Sequence, residues 1–286
     1  MLRATPQSFR SVMAESSVVR VAGAHHALSG ALAQEAGFQA VWSSSFEVSA
    51  SRCLPDASIL TMTEYLEAAA SMQKALTIPV VADCDTGYGD NLNVAHMVHE
   101  FEGAGITAVC IEDKLFPKMN SFVGNGQALL STEAFASKIT TAKAAQRTTD
   151  FYVIARTEAL ISGLGVDQAL ERCRVYADAG ADAVLVHSKE KSRDQILEFL
   201  DGWDARVPVV IVPTTYPDWH IEDVRAAGVS VVIYANQGLR ASVSSLREAY
   251  RAIYRDGDTT GIEESIASVG DLFELQRLAE WRKLSA

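Results

Sequence analysis

The residues able to do chemistry stand where apolar runs end. Residues 108–111 run into Glu112-Asp113-Lys114, and the loop beyond carries Lys118, Asn120 and Ser121. Residues 78–82 run into Asp83-Cys84-Asp85-Thr86-Gly87-Tyr88-Gly89, residues 151–155 into Arg156-Thr157-Glu158, and residues 183–186 into His187-Ser188. Residues 38–42 open into Ser43-Ser44-Ser45. Polar groups at the carboxyl ends of buried strands are where α/β enzymes keep their chemistry. Brought together, Asp83, Asp85 and Glu112 repel one another unless a hard cation sits among them. Oxygen ligands alone favour Mg²⁺ over zinc. Arg156 and His187, with Lys118 above them, form a cationic set suited to a phosphoryl group or a carboxylate. The small polar turn at Ser44 offers backbone N–H groups to an anion. A metal side facing a cation side suits a small, multiply charged anion of the α-keto-acid type. Taken singly, each residue has an ordinary reading: a strand-end Asp caps a helix, an Arg pairs a carboxylate, a His is a satisfied core residue. The joint occurrence of Ser44, Asp83, Asp85, Glu112, Lys114, Arg156 and His187 at successive strand ends is what points to a site.

Such a site needs a scaffold that collects residues more than a hundred positions apart. The pattern predicts one. After a short amphipathic helix with Phe9, Val12 and Met13 on its apolar face, strands are predicted at 18–24, 38–42, 78–82, 108–111, 151–155, 183–186, 209–212 and 231–234. Helical stretches alternate with them, at 25–35, from Thr61 to about Leu76, to about Glu102, at 132–146 and at 166–179. Gly37 reads as a helix-terminating glycine, Thr61-x-x-Glu64 as a capping box, and Gly165 as a helix entry. Strands that read as continuous apolar runs are buried on both faces, as in purely parallel sheets. A closed (β/α)8 barrel is the natural fold, and an open doubly wound sheet is the alternative. Residues 240–286 read as helical, with Leu272, Leu275, Leu278 and Trp281 recurring along one face. The expectation is one barrel domain over 1–286 with helical extensions at both ends.

Composition narrows the class. The chain has 286 residues, 48% of them apolar, and a formal net charge of −11 with no lysine or arginine run. That balance argues against nucleic acid or an anionic membrane surface as partner. No apolar stretch reaches the ~18 residues of a membrane-spanning helix, and no signal pattern opens the chain. The four cysteines lie far apart without a Cys-x-x-Cys, as in a reduced cytoplasmic protein. There is no nucleophilic triad and no nucleotide-binding glycine loop. Gly87-x-Gly89 reads as a tight turn.

The spacing of Glu112-Asp113-Lys114 ahead of Asn120-Ser121 is specific, and it resembles the gating-loop motif of the phosphoenolpyruvate mutases of the isocitrate lyase superfamily. The segment Asp83 to Gly89 is similar to that superfamily's metal loop. Trp42-x-Ser44 resembles its substrate-carboxylate and oxyanion loop. Arg156 and His187 fall on phosphoryl-contacting positions, and Asp56 matches a further active-site acid. The resemblance extends over nearly the whole chain. It implies interconversion of phosphoenolpyruvate and phosphonopyruvate with Mg²⁺, the carbon–phosphorus bond-forming step of phosphonate synthesis. Asp56, Lys118, Asn120, Arg156 and His187 would be catalytic, and Trp42, Ser44, Ser45, Phe46 and Ser121 would meet the substrate. Backbone amides of Ser44 to Phe46 would hold a pyruvate enolate while a loop over residues 115–131 closes against water. The resemblance further implies a homodimer or homotetramer whose barrels exchange their last helix.

Two departures qualify it. Ser43-Ser44-Ser45-Phe46 stands where mutases carry a glycine and a leucine. Leu54-Pro55-Asp56-Ala57-Ser58-Ile59-Leu60 resembles phosphonopyruvate hydrolases at least as well, which makes hydrolysis to pyruvate and phosphate the alternative. Asn120 argues for the mutase. Carbon–carbon lyases of the superfamily carry Lys-x-x-Cys-Gly-His in this loop, and here the loop has neither Cys nor His. A binding or sensor barrel that has lost its chemistry is a third class, but every charged position is filled.

Overall fold

The apolar runs pair side by side in sequence order, and the last pairs with the first. The computed structural model describes residues 6–124 and 127–284. The strands β1 (Val19–Ala24), β2 (Ala40–Ser43), β3 (Val80–Asp83), β4 (Ala108–Glu112), β5 (Tyr152–Thr157), β6 (Ala183–Val186), β7 (Val209–Ile211) and β8 (Val231–Tyr234) form a closed barrel. Every pairing is parallel, including β1 with β8. The expected (β/α)8 barrel stands, and the open sheet does not.

Strand alternation divides the apolar residues between two layers. In β4, Ala108 and Cys110 join an interior cluster with Trp42, Val81, Ile154 and Leu185. Val109 and Ile111 instead pack outward with Met97, Phe101 and Phe135, under the helices. The same alternation, continued past the strand, sends Asp113 to the opposite side from Glu112 and Lys114.

The barrel unit spans residues 6–236. Its helices are α1 (Phe9–Glu15), α2 (Ala27–Glu35), α3 (Ser45–Ser51), α4 (Met62–Ala75), α5 (Asn91–Gly103), α6 (Thr132–Ala145), α7 (Val166–Asp178), α8 (Asp194–Gly202) and α9 (Ile221–Ala226). Phe9 and Val12 of α1 join the interior cluster. The Thr61–Glu64 capping box opens α4 as expected. Gly37 follows α2 at φ +88°, the left-handed conformation in which glycine is favoured.

Three local expectations change. The serines after Trp42 are not a free turn. Ser43 ends β2, Ser44 caps α3 with its hydroxyl on the Glu47 N–H, and Ser45 is the first residue of that helix. Arg156 and Thr157 belong to β5 rather than to the loop beyond it. Finally, the apolar face expected along the C-terminal helical extension is interrupted, because residues 237–284 fold as several separate helices in a compact unit of their own. Helix α10 (Gln237–Asp256) ends at Gly257 in a left-handed conformation, and α11 (Val269–Leu275) and α12 (Leu278–Lys283) are separate. Arg277 between them is also left-handed, at φ 56°. That break takes Leu272 and Leu275 off the face predicted to continue through Leu278 and Trp281. No residue of α10, α11 or α12 is buried. Among the described residues, no helix is long and apolar enough to cross a membrane, and all four cysteines are free.

Candidate active site

The acids come from β3, β4 and the segment after α3. Asp83, the last residue of β3, accepts from the Ser45 hydroxyl at 2.9 Å and from the Asp85 N–H at 3.3 Å. Asp85 sits at φ 49° and Tyr88 at φ 61°, conformations that non-glycine residues rarely adopt and that concentrate at functional sites. The loop can double back only because Gly87 and Gly89 lack side chains. A Cβ on Gly87 would lie 2.5 Å from Val94, and one on Gly89 2.2 Å from the Asn93 side-chain oxygen. Lys138 reaches over from α6 and donates to the carbonyls of Thr86 (2.8 Å) and Gly89 (2.7 Å), clamping the same turn. This lysine escaped the sequence reading because its partners are carbonyls about 50 residues away in sequence, which no side-chain pattern records.

Lys118 descends from the β4–α6 loop into the acids. Its ammonium lies 2.8 Å from Asp56 and 2.9 Å from Asp85, and it donates to Ser45 at 3.3 Å. Its backbone N–H is held by Ser58 at 3.0 Å. Asn120 donates to the other Asp56 oxygen at 2.8 Å, and its own side-chain oxygen accepts from the Phe122 N–H. One Asn120 amide N–H is therefore engaged with Asp56. The loop's two ends are tied together by Leu115 N–H to the Ala128 carbonyl and Leu130 N–H to the Asp113 carbonyl.

Glu112 divides its carboxylate between Arg156 at 3.2 Å and Lys114 at 3.7 Å. Arg156 in turn meets His187 Nδ1 at 2.9 Å and Glu158 at 2.7 Å. Glu158 is a residue the sequence reading quoted but gave no role. It is wholly buried, with Lys114 at 3.1 Å, His187 Nδ1 at 3.1 Å and the Ser121 hydroxyl at 2.5 Å. Ser121, expected against the substrate, spends its hydroxyl on Glu158, Lys114 and Arg156. Asp113, central in the sequence motif, faces the helices and reaches the site only through the Glu158 N–H that it holds. It pairs with Arg172 and accepts from Tyr176, Thr157 and the Glu158 N–H.

Ser44 N–H donates to the Ala24 carbonyl and Ser44 Oγ caps α3, so the amides left to receive an anion are those of Ser45 and Phe46. Trp42 is 2% exposed within the interior cluster, where it forms floor beneath the strand ends. Phe46 is partly exposed.

The electrostatics follow from burial. Burial pushes Asp85 up to about 7, with neighbouring acids adding to the rise and Lys118 opposing it. Asp83 is raised for the same reason. Burial disfavours the Lys118 ammonium, but Asp85, Glu112, Asp56 and Asp83 outweigh it and hold the charge. Burial alone would lift Glu158, yet Arg156, His187 and Lys114 hold it well below the ordinary range. Burial lowers His187, against the pull of Glu158.

Among the described residues, no group of three His, Cys, Asp or Glu side chains is arranged to hold a metal ion. The reason lies in the partners just given: Lys118 stands between Asp56 and Asp85, and Glu112 turns to Arg156 and Lys114. The chemistry of the donor set nonetheless fits a hard cation. It is all carboxylate oxygen, burial and then neighbouring acids raise Asp83 and Asp85, and Glu112 Oε1 has no hydrogen-bond partner.

A family profile described as phosphoenolpyruvate phosphomutase matches residues 9–254. The chain is 42% identical to a phosphonopyruvate hydrolase of Variovorax sp. (strain Pal2) over 98% of its own length and 97% of the relative's. It is 41% identical to a phosphoenolpyruvate phosphomutase of Tetrahymena pyriformis, covering 88% of this chain and 85% of that one. The fold superposes on the phosphoenolpyruvate phosphomutase of Streptomyces platensis subsp. rosaceus with a TM-score of 0.95 at 51% identity over 96% of both chains. It superposes on a phosphonopyruvate hydrolase in complex with oxalate and Mg²⁺ with a TM-score of 0.91 at 41% identity, again over 96% of both. The chain thus belongs to the phosphoenolpyruvate phosphomutase family and is an enzyme of the PEP mutase/isocitrate lyase superfamily.

Proposed function

We propose that this enzyme interconverts phosphoenolpyruvate and phosphonopyruvate. The observation that carries the reading is the split of the pocket into an acid half and a cation half, bridged by one loop. Lys118 and Asn120 of that loop engage Asp56 on the acid side, while Ser121 engages Glu158, Lys114 and Arg156 on the cation side.

In the forward direction the O–P bond of phosphoenolpyruvate breaks, a C3–P bond forms, and the enol oxygen becomes the ketone. No co-reactant enters. Asp83, Asp85 and Glu112 would hold Mg²⁺, which neutralises the enolate and carboxylate oxygens and so lowers the cost of the departing charge. The amides of Ser45 and Phe46 stabilise the substrate anion at its other side. Arg156 and the His187 imidazole steady the phosphoryl oxygens through a loose transition state, which needs placement and charge more than a nucleophile. Lys118 and Asn120 keep Asp56 in place and close the pocket. A dry pocket leaves C3 of the enolate as the one nucleophile within reach of the phosphoryl group.

The second reading is phosphonopyruvate hydrolysis, in which a water oxygen takes the phosphoryl group instead. It is favoured by the 42% identity to the Variovorax hydrolase over almost the entire chain. Asn120 and the 51% identity to the Streptomyces mutase support the isomerase. Phosphorus NMR of purified enzyme with Mg²⁺ and phosphonopyruvate separates them. Phosphoenolpyruvate as product establishes the mutase, and inorganic phosphate as first product refutes it.

A further inference from the structure

We infer that Glu158 is a positioning residue that ties closure of the loop over residues 115–124 to the arrangement of the phosphoryl-binding cations. The inference rests on the reading of Arg156 and His187 as the phosphoryl contacts.

Each carboxylate oxygen of Glu158 serves one side of that link. Oε1 takes Arg156 through Nε and Nη2, both at 2.7 Å, and lies 3.1 Å from His187 Nδ1. Oε2 takes the Ser121 hydroxyl at 2.5 Å and Lys114 at 3.1 Å. Ser121 comes from the loop, and Lys114 also donates to the carbonyl of Met119 in the same loop at 3.1 Å. Withdrawal of the loop removes a donor from Glu158 and two acceptors from Lys114 in one movement. A wholly buried carboxylate does not stay half-satisfied. It draws Lys114 and Arg156 toward itself, away from where a phosphoryl group would sit.

His187 lies beside the same residue. Arg156 Nη2, which can only donate, gives its N–H to His187 Nδ1 and so puts the neutral ring's proton on Nε2, while Glu158 Oε1 holds that Arg156 in place next to the same nitrogen. His187 Nε2 is buried without a partner, which leaves it the ring atom free to meet a ligand. Glu158 cannot drift, because its backbone N–H is anchored on Asp113 at 2.8 Å. Nothing in the proposed reaction has Glu158 touch substrate, so its part is to place the groups that do.

The test uses full-length Glu158→Gln, Ser121→Ala and the double variant, with thermal melting to show that each is folded. The first readout is limited proteolysis of the loop, which needs no substrate. Each single variant should raise the rate of loop cleavage at least ~5-fold, and the double should exceed the larger single effect by less than ~2-fold, because both cut one link. The second readout is steady-state turnover of phosphonopyruvate with Mg²⁺. Glu158→Gln should lower kcat by ~10²-fold while KM moves less than ~3-fold, as expected for loss of transition-state placement rather than of binding. An unchanged loop cleavage rate, or effects that simply multiply in the double variant, overturns the inference. So does a Glu158→Gln enzyme with near-normal kcat. If Glu158→Gln does not fold, Ser121→Ala decides through the loop readout alone. Wild-type enzyme that leaves phosphonopyruvate untouched refutes the proposed function instead, and the proteolysis result still stands or falls by itself.

Discussion

Asp113 offers a stringent test of how the Glu-Asp-Lys triplet divides its labour. Its side chain is wholly buried on the helix side of the strand end. One oxygen accepts from the Glu158 N–H at 2.8 Å. The other accepts from Thr157 Oγ1 (2.9 Å), Tyr176 Oη (2.8 Å) and Arg172 Nη1 (3.1 Å). Asp113→Ala removes all four acceptor contacts and leaves the Arg172 charge, the Thr157 and Tyr176 hydroxyls and the Glu158 N–H without their shared acceptor. Breaking a buried pair from one side costs about 3–5 kcal/mol. Arg172 keeps the Leu130 carbonyl at 3.0 Å and the Tyr176 oxygen at 3.0 Å, which places the loss toward the lower end, at about 3–4 kcal/mol. Replacing both charges is a different perturbation, because no orphaned charge remains. Asp113→Ala with Arg172→Met should recover at least ~1 kcal/mol relative to the sum of the single changes. Urea denaturation of the four proteins measures this cycle, provided the slopes agree. Turnover per folded molecule should fall less for Asp113→Ala than for Glu112→Gln, since only Glu112 faces the site. Single effects that add within ~0.5 kcal/mol would refute the buried-pair argument, and a catalytic loss matching that of Glu112→Gln would refute the division of labour.

The remaining predictions concern the pocket and the assembly. Chelation should abolish turnover and Mg²⁺ restore it, and Asp85→Ala should lose at least ~10²-fold in rate; full activity in excess chelator excludes the metal reading. Asn120→Ala should cut phosphonopyruvate–phosphoenolpyruvate interconversion by ~10²-fold while lowering stability by about 1–3 kcal/mol, the cost of leaving the buried Asp56 oxygen without its donor. Lys138→Met should raise the Mg²⁺ concentration needed for half-maximal activity, since the Asp83–Gly89 turn loses both of its carbonyl clamps; an unchanged Mg²⁺ titration would show that the clamp does not position the acids. Light scattering should report a dimer or tetramer, as the exposed apolar side chains of Leu246, Tyr250, Tyr254 and Trp281 suggest, and a monomer at micromolar concentration would count against assembly.

The barrel was legible in the chain because parallel strands are buried on both faces and therefore announce themselves as uninterrupted apolar runs. The position of each chemical residue at the end of such a run followed from the same fact. Local signals of short range held as well: the Thr61–Glu64 capping box and Gly37 depend only on residues within a turn of themselves. What the sequence could not state was direction and partner. Glu112, Asp113 and Lys114 are adjacent and equally polar, and only the continuation of the β4 alternation shows that the middle one anchors Arg172 and Tyr176 while its neighbours face the pocket. Glu158 looked like one more strand-end acid. Its importance arises from Ser121, Lys114, Arg156 and His187, which closure of the barrel and folding of a loop bring onto one carboxylate. Lys118 among the acids, Lys138 on two carbonyls and the broken helix at Arg277 are of the same kind. Residue type and periodicity determine which segments are buried. Which ionisable groups then share a buried space is decided by tertiary closure, because charges at short range in a dry interior interact far more strongly than anything their spacing along the chain can encode.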